Sequence, residues 1–89
     1  MKILNFYADK SDPCKALEGL LNMPEFEDID VEYIDVYSKE GYDIVMERGL
    51  TKVPTLIKVC DDGAETAIVG LPSINYLAAF CGLKPTEKD

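Results

Sequence analysis

Thr51-Lys52-Val53-Pro54-Thr55, read with Ser11-Asp12-Pro13-Cys14-Lys15, decides how this chain folds. In the second stretch a serine precedes a proline by two residues. That is a helix start, with a capping side chain followed by a residue whose fixed φ suits the first turn. Cys14, Leu17 and Leu21 then recur at i, i+3 and i+7, one face of that helix. In the first stretch a proline stands between a helical pattern and the apolar run that ends at Cys60.

The remaining elements follow outward from these two. Ile3-Leu4-Asn5-Phe6-Tyr7 is a buried-strand run ahead of Ser11. Met23-Pro24 ends the first helix, because a residue before proline is pushed out of the helical region. Glu25 to Asp30 reads as an acidic loop, and Val31 to Val36 as a second strand. Ser38 caps a second helix whose face is Tyr42, Val45, Met46 and Gly49, with Gly41 weakening its first turn. Pro54 to Cys60 is a third strand. Asp61-Asp62-Gly63 is a hairpin turn in which glycine supplies positive φ, and Thr66 to Val69 is the fourth strand. Pro72 or Ser73 opens a last helix with Ile74, Leu77, Ala78 and Cys81 on one face, closed by Gly82. Residues 85–89 form a polar tail behind a single domain spanning residues 1–84.

The order is β-α-β-α-β-β-α. The first two strands, joined through a helix, are expected parallel, and the last two antiparallel as a hairpin. Phe6 to Lys15 resembles the thioredoxin pattern of an aromatic pair, a short turn and then Trp-Cys-Gly-Pro-Cys-Lys. Val53-Pro54-Thr55 resembles the Val-Pro-Thr of the same family, and Gly63 and Gly70 match its hairpin and strand-end glycines. On these residues the chain resembles the thioredoxin-like superfamily over nearly its whole length. The resemblance implies an α/β minimal thioredoxin fold: a four-stranded mixed sheet flanked by helices on both faces, with Pro54 cis and facing the helix start. It also implies a groove at Val53 and Pro54 where a substrate peptide pairs with the backbone.

The same resemblance exposes a missing atom. Family members carry Cys-x-x-Cys; the first thiol attacks a substrate disulfide and the second resolves the intermediate. Here Ser11 stands at the attacking position and Cys14 at the resolving one. A serine hydroxyl needs a base to become a nucleophile, and the chain has no histidine to supply one. Dithiol exchange by this pair is therefore expected to be impaired or lost. Lys10 and Asp12 also depart from the family pattern, which favours divergence over a single engineered exchange at Ser11. Asn5 stands where larger members keep a buried aspartate. Three readings follow: a degenerate member of the thiol-disulfide oxidoreductase family, a non-catalytic peptide-binding module using the Val53–Pro54 groove, and a monothiol redox protein acting through Cys14. In the plainer reading, Cys14 is a small buried hydrophobe and Ser11 only a helix cap.

Composition narrows the partners. Net charge is −8, from 9 basic and 17 acidic residues, which argues against nucleic acid and against an anionic membrane surface. Lys2 leads into a β-like run and not into a signal-peptide core, and the longest apolar run, Tyr76 to Cys81, is far short of the ~20 residues that span a bilayer. Cys14, Cys60 and Cys81 are odd in number and lack metal-ligand spacing, which points to a reducing cytoplasm. No metal and no cofactor is expected. Val69-Gly70-Leu71-Pro72-Ser73 lacks the Gly-Gly-x-x-Asp-like stretch of glutathione-binding glutaredoxins, which disfavours glutathione or an iron–sulfur cluster. A monomer with a peptide or protein partner is the expected state.

Overall fold

The computed structural model describes residues 1–83, so the expected tail over residues 85–89 and the domain limit at residue 84 lie outside the described residues. The chain runs through strand β1 (Lys2–Tyr7), helix α1 (Asp12–Leu21), a 3-10 turn (Pro24–Phe26), strand β2 (Val31–Asp35), helix α2 (Lys39–Arg48), strands β3 (Thr55–Val59) and β4 (Glu65–Val69), and helix α3 (Ile74–Phe80). The four strands make one sheet in the order β2-β1-β3-β4. β1 and β2 are parallel; β1–β3 and β3–β4 are antiparallel. This is the mixed sheet with three helices that the sequence implies.

Alternation along the strands assigns the two faces. Ile3, Leu56 and Ile68 point to one side and pack with Leu17 and Leu21 of α1 and with Leu77 and Ala78 of α3. Phe6 and Ile34, of opposite parity, point to the side covered by α2. Ile3, Leu17, Leu56 and Leu77 are fully buried, each contributing about 1.5–3 kcal/mol relative to an exposed side chain. Lys58 shares the face of Leu56. It keeps its charge out of the core by donating from Nζ to the Phe80 carbonyl at 2.8 Å, at the end of α3.

Several sequence expectations change. The stretch read as an acidic loop begins with the 3-10 turn, because Pro24 pre-sets the turn and Phe26 drops into the core at 2 % exposure. In α2, Tyr42 and Met46 are 56 % and 63 % exposed, so the helix does not bury the face that the spacing suggested. It is instead turned inward along Gly41, Ile44 and Val45. Gly41 explains why: a Cβ there would overlap the backbone carbonyl oxygen of Asp35, so the helix approaches the end of β2 at a point where only glycine fits. Gly41 is thus a packing requirement and not merely a weak spot in the first turn. Cys60, expected as the last residue of the third strand, lies one residue past β3 and is only half-buried at the β3–β4 hairpin, where its amide donates to the Ala64 carbonyl. Cys81 is buried as expected but lies one residue past α3, at its C-cap.

Candidate functional site

The site begins where β1 ends. The chain leaves the sheet after Tyr7 and turns within a few residues into α1. Ser11 has extended φ/ψ of −89° and 121°, and its Oγ accepts from the Cys14 amide at 3.3 Å. That satisfies one of the free N–H groups every helix start presents. The Ser11 amide donates to the Ala8 carbonyl at 3.2 Å, and the Ala8 amide donates back to Cys14 Sγ at 3.4 Å. Ser11 and Cys14 are therefore locked together. The hydroxyl is engaged as a cap, and the thiol is 5 % exposed and engaged as an acceptor.

The antiparallel register that sets Phe6 opposite Thr55 brings the turn after β1 and the loop before β3 to the same end of the sheet. The Val53–Pro54 peptide bond is cis. Pro54 is fully buried and its carbonyl accepts from the Gly70 amide at 2.8 Å, while Thr55 Oγ1 donates to the Lys52 carbonyl at 2.7 Å. These two bonds hold the loop from both sides. Val53 between them is half-buried, and among the described residues neither its N–H nor its C=O has a backbone partner. It presents one free donor and one free acceptor, what an added strand needs.

Two cavities near this end of the sheet each take in one of the candidate residues, Val53 in one and Cys14 in the other. One, of about 190 Å³, lies on the α2 side between Phe6, Val36, Tyr37, Val45, Leu50 and Val53. The other, of about 200 Å³, lies beside α1. Its inner wall is Asn5, Ala8 and Cys14, all buried, and its mouth carries Asp9, Glu18 and Tyr33. Neither Ser11 nor Pro54 lines either cavity. Cys14 thus faces a space separate from the one beside Val53.

The α1-side cavity is where sequence reading fell short. Asn5 was singled out, but Glu18 and Tyr33 were not. Glu18 is four residues after Cys14 on the same helix face, and Tyr33 is the register partner of Asn5 across β1 and β2. Tyr7 and Tyr33 meet edge to face with centroids 6.1 Å apart. Burial pushes both phenols up, helped at Tyr7 by the charges of Asp9, Asp35 and Glu18, and at Tyr33 by Glu18. Elsewhere, burial raises the Cys81 thiol, partly offset by the Lys58 ammonium.

Several solved structures similar to this one are thioredoxins. The chain is 31 % identical to a point mutant of the thioredoxin from Halobacterium salinarum, with a TM-score of 0.73 over 89 % of this chain and 69 % of that one. It is 30 % identical to thioredoxin 1 from Thermosipho africanus, with a TM-score of 0.67 over 89 % of this chain and 88 % of that one. Mitochondrial thioredoxin 3 from Saccharomyces cerevisiae is 26 % identical, with a TM-score of 0.70 over 90 % of this chain and 74 % of that one. No protein-family model and no curated protein matches the chain.

Proposed function

We propose, from the premise that this chain belongs to the thioredoxin-like superfamily, that it is a redox-family protein that has lost dithiol exchange and keeps the peptide-binding edge at Val53 and Pro54. The observation that carries the first half is the hydrogen bond from the Cys14 amide to Ser11 Oγ. A hydroxyl that caps the helix occupies the place of an attacking thiolate, and no histidine in the chain could deprotonate it. Cys14 alone could accept a disulfide but has no neighbour at Ser11 to exchange it with.

The free backbone groups of Val53 support the second half. An extended segment of a partner protein adds to this edge through main-chain hydrogen bonds, and side chains on either side of Val53 set preference. The partner is a protein or peptide and not a nucleic acid, since the net charge of −8 opposes phosphate. The chain acts as a monomer, without metal or cofactor, in a reducing compartment such as the cytoplasm. No helix among the described residues is long and apolar enough to cross a membrane.

A monothiol role is the second reading, favoured by the cavity that opens onto Cys14. Insulin reduction with dithiothreitol as electron source tests the proposal. The expected rate equals that of dithiothreitol alone. Turnover comparable to a dithiol thioredoxin overturns it, and a stable mixed disulfide at Cys14 without turnover moves the monothiol reading to first place.

A further inference from the structure

We propose that the outer edge of β2 docks an extended, basic segment of a partner protein, added as a strand alongside Val31 and Tyr33. This inference does not depend on the edge at Val53. β2 is a terminal strand of the sheet. Its pairing with β1 fixes which way each backbone group points. The Ile3 amide donates to the Asp30 carbonyl at 2.8 Å, and the Val36 amide donates to the Tyr7 carbonyl at 3.0 Å. In a parallel ladder that parity turns Asp30, Glu32, Ile34 and Val36 towards β1. Val31, Tyr33 and Asp35 therefore turn their N–H and C=O outward. The Asp35 carbonyl is used, accepting from the Ser38 amide at 3.0 Å and from Ser38 Oγ at 2.7 Å. Among the described residues, both main-chain groups of Val31 and of Tyr33 have no backbone partner. β2 contains no proline, and its register with β1 runs without a bulge, so the devices that blunt an edge are missing.

The flanks of the edge decide the chemistry of that strand. Its side chains fall alternately on the two faces of the sheet, and each face has a hollow beside β2. The charged residues of the two hollows are Asp9, Glu18, Glu32, Asp35 and Glu40 against Lys15. Lys2 reaches Glu32 at 3.1 Å and offsets that one carboxylate. An arginine or lysine of the added strand lays its alkyl stem over Tyr33 on one face, or over Ile34 and Ile44 on the other, with its head at a carboxylate. The same carboxylates disfavour a second copy of this chain, whose β2 edge carries the same sign. β4, the other terminal strand, has no such preference, because its one carboxylate, Glu65, is held by Arg48 at 3.0 and 3.3 Å.

The test titrates the chain with acetyl-Thr-Arg-Val-Arg-Val-Thr amide at neutral pH and constant ionic strength, followed by amide NMR and hydrogen exchange. Saturable shifts are expected at Val31, Tyr33 and Asp35. The Val31 and Tyr33 amides, which face outward, should become protected from exchange on binding, while those of Glu32 and Ile34, which face β1, should not change. The same peptide with glutamate in place of arginine is expected to give no shifts. Two further peptides carry N-methyl groups on alternate amides, one on each set. Only the set that faces the edge donates, so one methylated peptide should bind like the parent and the other should lose about tenfold or more. In the chain, Tyr33→Pro removes an outward N–H and no ladder bond, and should abolish binding. Should that variant fail to fold, the methylated pair decides alone. Glu18→Gln combined with Glu40→Gln, both exposed, should weaken binding about threefold or more. Saturable shifts centred on Val53 in place of β2 would support the groove and overturn this inference. Equal binding of the two methylated peptides, binding of the glutamate peptide, or no saturable shift at all overturns it as well.

Discussion

Replacing Ser11 by alanine isolates what the serine does in place of a cysteine. The Ser11 hydroxyl makes one hydrogen bond, from the Cys14 amide at 3.3 Å, slightly beyond the usual N–H···O range. Its backbone bonds to Ala8 and Lys15 survive the change. So does the first-turn carboxylate of Asp12, which complements the helix dipole. Cap losses run from ~0.5 to 2 kcal/mol, and one long, half-buried bond places Ser11→Ala near ~1 kcal/mol. In a domain of this size that lowers Tm by about 4–8 °C. Ser38 provides the internal standard. Its Oγ accepts from the Gly41 amide at 2.9 Å and donates to the Asp35 carbonyl at 2.7 Å, so Ser38→Ala should cost more. Thermal melts followed by circular dichroism, with urea titrations for m-values, give both numbers. If Ser11→Ala is neutral or stabilising while Ser38→Ala is not, Ser11 is no cap and the account of why a hydroxyl suits this position fails.

Other substitutions reach further into the fold. Gly41→Ala gains up to ~1 kcal/mol of helix propensity. It also drives a methyl into the Asp35 carbonyl and to 2.9 Å from Ser38 Oγ, so a net loss of about 1–3 kcal/mol is expected in urea melts. Glu65 is held below the usual carboxylate range by its hydrogen bonds from Arg48 and by that guanidinium's charge. A depressed folded-state value stabilises above the unfolded glutamate range and is lost as pH falls through the folded value. Glu65→Gln should therefore lower Tm slightly at neutral pH and leave it unchanged in acid; an equal deficit at both pH values refutes the ion pair. Iodoacetamide followed by peptide mapping should modify half-buried Cys60 first, ahead of buried Cys14 and Cys81. Fastest labelling at Cys14 would instead favour the monothiol reading.

The order of elements was legible because local signals agree with the fold: Ser11 and Ser73 do cap α1 and α3, and Gly63 turns the hairpin at φ 92°. The rotation of α2 was not legible. Tyr42, Val45 and Met46 have helical spacing, but the contact between Gly41 and Asp35 sets which edge meets the sheet, and that contact exists only after β2 and α2 pack. Phe26 was hidden among acidic neighbours, and its burial depends on the turn that Pro24 starts. Ser11, Cys14, Val53 and Pro54 could be selected by motif. The cavity behind Cys14 could not, because it joins Asn5 to Tyr33 through strand register and to Glu18 through helix periodicity.

The central claim is that a dithiol scaffold persists here without its nucleophile, and Ser11→Cys tests it most directly. The change sacrifices one cap of ~1 kcal/mol and leaves the core intact. The introduced thiol sits at the helix start, with Cys14 one turn on. Thiol titration of the oxidised variant should show two fewer free thiols than its reduced form, and insulin reduction should rise above the dithiothreitol background that the unaltered chain does not exceed. A variant that folds, keeps every thiol free under oxidising conditions and still fails to reduce insulin would contradict the account.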